Sequence, residues 1–113
     1  MTIDELLKRM VETGASDLHL KVGSPPGFRR DGWIVRERES PPLRPEETES
    51  LAVSIMDDDR RRVFEKEHDV DFGHSVPGLA RFRVNAFRQR GSVSMVVRRI
   101  PIEVPHIDAL ELP

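Results

Sequence analysis

The sequence has no cysteine, which excludes disulfide bonds, thiolate metal ligands and cysteine nucleophiles. It also lacks an apolar run as long as a membrane span, and charged residues interrupt its first ten residues, where a signal peptide would be apolar. Its glycines stand singly, and no G-x-x-x-x-G-K-[ST] phosphate-binding loop occurs. From these 113 residues we expect one cytoplasmic domain that is not an enzyme by itself and holds no cofactor of its own.

Lysine is scarce, with 3 lysines against 15 arginines. The net charge of −2 averages over an uneven distribution, since residues 1–71 contain 12 bases and 17 acids whereas residues 72–102 contain six arginines and no acid. A planar guanidinium group binds phosphate or carboxylate through two parallel hydrogen bonds. The basic segment therefore indicates an anionic partner of defined shape.

Three segments have the pattern of amphipathic helices. In the first, Thr2 and Glu5 fit a capping box and Gly14 supplies the stop. The second begins around Pro45, with acids in its first turn. The third follows three consecutive aspartates and runs through Phe64.

Alternating apolar and polar residues predict the strands. Residues 17–22 form one, and a hairpin follows in which Asp31-Gly32 makes the two-residue turn. From residue 70 the period is again two, and two turns divide that segment into three strands. This order predicts an α+β fold with a mainly antiparallel sheet and helices packed on one face. Residues 1–101 form the domain, and residues 102–113 begin a linker.

The sequence offers only weak candidates for a metal site or a catalytic dyad. The segment 68–74 contains two histidines and two aspartates, but alternation separates them and their spacing matches no compact ligand pattern. Asp17 and His19 leave the same strand face and could form a hydrogen bond or ion pair, yet no nucleophile is fixed near them. We expect no metal site and no catalytic residue within the chain.

The basic segment has six arginines on two strands that we expect to be neighbours: Arg81, Arg83, Arg88, Arg90, Arg98 and Arg99. Six unpaired like charges on one hairpin repel, so they need a counterion or an anionic partner unless they are an ordinary charged sheet face. Nucleic acid is one candidate, but Phe82 is expected in the core and only Phe87 is left to stack on a base. A nucleotide polyphosphate is the other candidate.

Three stretches of the sequence resemble one protein family: GASDLHLKVGSPPGFRRDG (14–32), DVDFGHSVPGLARFRVNAFRQRGSVSMVVRRIP (69–101) and ALELP (109–113). The family is that of the type II secretion and type IV pilus ATPases. The resemblance is to the N-terminal domain of its PilT branch, the twitching-motility motors that retract pili. Glu111 departs from the glycine that the family has in the last stretch.

The resemblance implies a PAS-like domain that precedes a RecA-like ATPase domain in a hexameric ring. In the family this domain packs on the ATPase domain of the next subunit, and its arginines reach the phosphates of ATP, which is bound with Mg²⁺. The matching positions in this sequence are Arg81, Arg83 and Arg98. The implied fold or subunit-interface positions are Asp17, His19, Arg29 and Asp31.

The implied function is to couple ATP hydrolysis to pilus disassembly. The implied partners are the chain's own RecA-like domain, the neighbouring subunits and the platform protein of the pilus at the inner membrane, with no nucleic acid. Two alternatives stay open: a stand-alone module that holds nucleic acid with its arginine hairpin, and a PAS-like sensor of a small molecule. A P-loop in the residues that follow this segment would distinguish the motor from both.

Overall fold

The computed structural model describes residues 1–36 and 40–101, which contain three helices and six strands. In chain order these are α1 (Ile3–Glu12), β1 (Asp17–Leu20), β2 (Gly27–Arg30), β3 (Trp33–Arg36), α2 (Pro45–Ser54), α3 (Asp58–Glu67), β4 (Asp69–Val76), β5 (Ala80–Gln89) and β6 (Ser92–Ile100). No helix in the two described ranges is both long and apolar enough to cross a membrane. The predicted start of a linker at 102–113 lies outside the described residues.

Each helix begins where the sequence satisfies or removes a free backbone N–H group. The Thr2 hydroxyl accepts a hydrogen bond from the Glu5 backbone N–H at 3.1 Å, and the Asp57 carboxylate accepts one from Arg60 at 2.9 Å. The second helix begins with Pro45, which has no N–H to satisfy. The three predicted helix starts are confirmed.

All six strands pair antiparallel in one sheet of order β3-β2-β1-β6-β5-β4. Strands β1 to β3 form one consecutive group and strands β4 to β6 form another. The pairing of β1 with β6 joins the two groups through four residue pairs, from Asp17 opposite Arg98 to Leu20 opposite Met95. We call this pairing the β1–β6 seam.

The three helices pack on one face of the sheet. From α1, Asp4 lies 3.1 Å from His74 of β4; from α2, Glu49 accepts a hydrogen bond from Arg88 of β5 at 2.9 Å. From α3, the ring of Phe64 lies 4.9 Å from the Arg88 guanidinium. Apolar side chains of the strands, such as the fully buried Phe82, fill the space between the layers. The predicted α+β fold with helices on one face is confirmed, and we call the opposite face the outer face.

Strand β3 lies at the sheet edge, beyond the cover of the helices. Its Trp33 and Val35 are on the helix side of the sheet but are 78% and 54% exposed, and Ile34 on the outer face is 40% exposed. Phe28 of β2, which pairs with Val35, is only 5% exposed. The apolar core therefore ends between β2 and β3.

Strand β1 is shorter than its alternating sequence predicts. It ends at Leu20, and Val22 instead forms a single parallel bridge with Leu43. The backbone N–H of Gly23 donates to the Leu43 carbonyl at 2.9 Å, and Leu43 donates to the Ser24 carbonyl at 3.0 Å. The alternating pattern continues past Leu20 because Val22 is still partly buried, but its backbone partner is the segment before α2 and not the sheet.

The turn between β2 and β3 has the predicted left-handed backbone, with φ of 50° at Asp31 and 84° at Gly32. We expect Gly32→Ala to lower the free energy of unfolding by about 1–2 kcal/mol, because at positive φ an added Cβ approaches the following carbonyl oxygen. Urea unfolding followed by circular dichroism measures this change.

Gly73 of β4 provides the matched control. Its φ is not positive, and an added Cβ would meet the carbonyl oxygen of Phe82 only at 3.9 Å. Gly73→Ala should therefore keep or raise the free energy of unfolding, because alanine restricts the unfolded chain. Equal losses in the two variants would show that the backbone of the turn is not the cause.

Candidate functional site

One row of directly paired residues crosses the outer face from β4 to β3. In order across the sheet they are Gly73, Arg83, Arg98, Asp17, Arg29 and Ile34. Arg81 lies on the same face, two residues before Arg83 on β5 and opposite Ile100 of β6. Strand pairing therefore brings Arg81, Arg83 and Arg98 to one surface. We call these three residues the arginine cluster.

Arg98 is held in place by Asp17 across the β1–β6 seam. Its Nε donates to Asp17 Oδ1 at 2.9 Å, while the Ser16 hydroxyl donates to Asp17 Oδ2 at 2.7 Å. The Asp17 side chain is 7% exposed, whereas that of Arg98 is 73% exposed. The terminal nitrogens of Arg98 have no partner in the described part of the chain, so they remain available to an outside ligand.

The carboxyl group of Asp17 is ionised at neutral pH although it is buried. Burial alone would raise its pKa, but the hydrogen bond from Ser16, together with the hydrogen bond and charge of Arg98, lowers the pKa below its ordinary value. A buried carboxylate requires such partners. Asp17 and Ser16 therefore act as a fixed anchor for the arginine.

Arg83 has a similar but more exposed anchor. Its Nε donates to Asp71 Oδ1 at 3.1 Å, and its Nη2 lies 3.5 Å from Asp71 Oδ2. The side chains of Arg83 and Asp71 are 69% and 47% exposed. Because Arg83 and Arg98 are directly opposite on β5 and β6, their like charges would repel without the two aspartates.

Of the other predicted interface residues, Arg29 belongs to this row, whereas His19 and Asp31 lie outside it. Arg29 follows Asp17 on the outer face and has no ion-pair partner within the described ranges, and the same is true of Arg81. His19 lies two residues after Asp17 on the same face. Burial lowers the pKa of His19, and the charges of Arg29 and other bases lower it further. The charge of Asp17 raises this pKa but only partly offsets the decrease. Asp31 lies in the β2–β3 turn, away from the row. The interface role of these residues stays a prediction.

The expectation of six unpaired arginines on one hairpin is wrong. Arg88 faces the helix layer, where it bonds to Glu49, and Arg99 lies on the same side because it pairs opposite Phe82. Alternation along β5 and β6 divides the block between the two faces. Three of the six, Arg83, Arg88 and Arg98, have carboxylate partners outside the β5–β6 hairpin. The six arginines of the hairpin therefore do not form one surface.

The segment 68–74 does not collect its side chains at one point. Asp69 accepts a hydrogen bond from Asn85 at 2.9 Å on the outer face, whereas His74 on the helix side contacts Asp4. Among the described residues, no group of three or more histidine, aspartate or glutamate side chains could hold a metal ion.

The outer face presents two anchored cationic side chains, Arg83 and Arg98. Two guanidinium groups are fixed at Nε and keep terminal N–H donors, whose planar arrangement matches phosphate or carboxylate oxygens. The molecule is thus an α+β domain that presents anchored arginines on an open antiparallel sheet.

Comparisons with known proteins identify relatives of this domain. The chain is 40% identical over 113 residues to the type IV pilus ATPase PilU of Pseudomonas aeruginosa, which covers 100% of the chain and 29% of PilU. It is 46% identical over 110 residues to the type IV pilus retraction ATPase PilT of the same organism, which covers 97% of the chain and 32% of PilT. A crystal structure of the pilus retraction motor PilT with bound ADP matches with a TM-score of 0.86 at 44% identity, over 100% of the chain and 33% of that protein. No protein-family model matches the chain.

The chain is a homologue of the N-terminal domain of PilT-type ATPases. It spans about a third of the length of the relatives it matches. The family resemblance given by the sequence motifs is confirmed.

Sequence reasoning missed the role of Asp71. The pairing of Asp71 with Arg83 could have been predicted from the sequence. Alternation places Asp71 on the outer face, and the three-residue loop between Val76 and Ala80 fixes the register of β4 against β5. The partnership of Asp17 with Arg98 had no such signal, since 81 positions separate the two residues and no short turn connects their strands.

The Asp17 anchor predicts a specific acid sensitivity. Because the folded-state pKa of Asp17 lies below its unfolded value of about 3.9, its stabilising contribution is fully present above about pH 4 and is lost as the pH falls through the lowered folded-state pKa. Asp17→Asn should reduce the free energy of unfolding by about 1–3 kcal/mol at neutral pH. This difference from the wild type should shrink in acid, as measured by urea unfolding across that pH range.

Asp71→Asn is the matched control, since it removes an aspartate–arginine pair of similar geometry that is exposed. Exposed pairs contribute about 1 kcal/mol or less, so this variant should change the free energy of unfolding little at any pH. If both variants lost stability equally, burial of Asp17 would not be the source of the effect.

Proposed function

We propose that this domain supplies Arg83 and Arg98, with Arg81 beside them, to the phosphates of ATP bound by a RecA-like ATPase domain in a hexameric pilus-retraction motor. The observation that carries the proposal is the placement of Arg83 and Arg98 directly opposite each other, each held at Nε by an aspartate. Homology to PilT and PilU supports the choice of motor.

Anchored arginines suit this task for a physical reason. An arginine supplied to a phosphoryl group from outside the nucleotide pocket stabilises the charge of the transition state and increases the reaction rate by about 10³–10⁵-fold. Holding Nε by Asp17 or Asp71 limits the side-chain freedom that would otherwise be lost on contact with phosphate. The chain itself has no P-loop motif, so in this proposal the nucleotide is held elsewhere and the domain adds only its donors.

The same surface fits the phosphates better than the Mg²⁺ that accompanies ATP. The outer-face side chains of the cluster are cationic, and Asp17 and Asp71 are already engaged by arginines. Mg²⁺ prefers several free oxygen ligands in near-octahedral geometry. We therefore assign the metal, which neutralises phosphate charge, to the ATPase domain.

The proposed setting is a ring in which the domain packs against its own C-terminal domain and the ATPase domain of the next subunit. Asp17, His19, Arg29 and Asp31 are proposed as fold or interface residues of this packing. The ring would act at the cytoplasmic side of the inner membrane with the pilus platform protein, coupling ATP hydrolysis to pilus disassembly. The printed descriptions of PilT as a pilus retraction motor and of PilU as a pilus ATPase support this setting.

In the complete motor, Arg83→Ala and Arg98→Ala should each reduce ATP turnover by about 10³-fold, with a smaller change in KM, because the contact strengthens in the transition state. Steady-state phosphate release measures both constants. Arg30→Ala is the matched control: it removes an exposed arginine from the opposite face of β2 and should leave turnover unchanged.

Loss of Arg98 also leaves the buried Asp17 without its ion-pair partner, so the stability of Arg98→Ala must be measured separately from its ATP turnover. The double variant Asp17→Asn/Arg98→Ala should recover part of the thermal stability but none of the turnover. Wild-type turnover in both single variants would refute the proposal, and so would an equal loss in Arg30→Ala.

A further inference from the structure

A second group of cationic and polar side chains lies at the far end of the outer face. It surrounds a cavity of about 290 Å³ between the end of β1 and the β5–β6 turn. The cavity is lined by Lys21, Val22, Gln89, Arg90, Ser92 and Ser94. Five of these six side chains are polar, two are cationic and none is acidic.

The polar groups of this cavity are not used by the fold. Within residues 1–36 and 40–101, the side chains of Lys21, Arg90, Ser92 and Ser94 have neither a hydrogen bond nor an ion pair. Ser94 is the most enclosed, since it is only 9% exposed. The Ser94 hydroxyl has no partner but is not sealed off, because none of the buried polar side-chain atoms in the described residues lacks a hydrogen bond; a molecule in the cavity can therefore reach it.

Arg90 occupies its position at a backbone cost. It is the first central residue of a two-residue turn, with φ of 54°, and Gly91 follows with φ of 80°. This position favours asparagine, aspartate or glycine, as the corresponding Asp31 of the other two-residue hairpin illustrates. A long side chain in the left-handed conformation is a feature that binding sites retain and turns alone do not require.

We propose that this cavity binds a phosphate group. A guanidinium, an ammonium and two hydroxyls without an opposing carboxylate form a donor set suited to a doubly charged oxyanion. The site is separate from the arginine cluster, because Ser94 and Arg98 are four residues apart on β6, about 13 Å along the strand. One phosphate group therefore does not contact both, and this inference does not rest on the proposed function.

Calorimetric titration of the chain with inorganic phosphate tests the site. Arg90→Asn should weaken phosphate binding about tenfold or more, because it removes a charged donor. Asparagine also suits the turn, so the thermal unfolding temperature should be unchanged or higher, and loss of binding then cannot result from unfolding. Ser94→Ala should weaken binding as well, without any change in net charge.

Two controls separate this site from general positive charge and from the arginine cluster. Arg30→Ala removes an equal charge on the other side of the sheet and should bind phosphate as the wild type does. In an Arg81→Ala/Arg83→Ala background, the loss caused by Arg90→Asn should persist. Equal binding by the wild type and Arg90→Asn would overturn the proposal, and so would an equal loss in Arg30→Ala.

A second arm identifies the source of the phosphate. The probe is vesicles of phosphatidylcholine with phosphatidylglycerol. If the wild type but not Arg90→Asn sediments with them, and inorganic phosphate competes, the ligand is a lipid headgroup. If inorganic phosphate binds but the vesicles do not, the ligand is a soluble phosphate. Both results require the cavity, and a wild-type chain that binds neither inorganic phosphate nor the vesicles would overturn the proposal.

Discussion

The β1–β6 seam is the contact on which the rest of the structure depends. It turns two separate three-stranded groups into one sheet, and only a sheet of that width offers all three helices a common apolar face. One backbone contact extends the seam beyond its four residue pairs, since the Ser16 carbonyl accepts a hydrogen bond from the Arg99 N–H at 3.1 Å; the Ser16 N–H donates to the Arg29 carbonyl of β2, on the other side of β1, at 2.9 Å. The same seam places Asp17 beside Arg98. The fold and the candidate site thus depend on the same set of hydrogen bonds. A substitution that disrupts the β1–β6 seam would therefore also disrupt the site.

The near-neutral net charge conceals a separation of charge between the two layers. The six strands contain eight arginines, no lysine and three aspartates, whereas the three helices contain ten acids and six bases. An anion approaching the outer face therefore meets a field that favours it, while the helix layer repels it. The aspartates of the sheet do not cancel this field uniformly. They neutralise the arginines at Nε and leave the opposite side of each guanidinium for a ligand, so charge balance and binding are compatible on the same side chain.

Much of the fold could be predicted from the sequence because the relevant signals are short in range. The cap at Thr2, the turn at Asp31-Gly32 and the alternation along β5 each involve residues within a few positions of one another. The site was less predictable, because its contacts connect residues that only the strand order brings together. Arg88 illustrates this limit. Alternation along β5 already places it on the helix side, but its partner Glu49 comes from a helix 39 residues away, and no local pattern in the sequence indicates that contact.

The uncovered edge strand has a practical consequence for spectroscopy. Trp33, the single tryptophan of the chain, is on β3 and is 78% exposed, so its indole is hydrated in the folded state. Its fluorescence will change little when the core melts, because unfolding alters its surroundings only slightly. Whatever comes to lie against β3 will shift the emission instead. Because the chain lacks tyrosine as well, Trp33 dominates its intrinsic fluorescence and reports on coverage of this edge more than on folding.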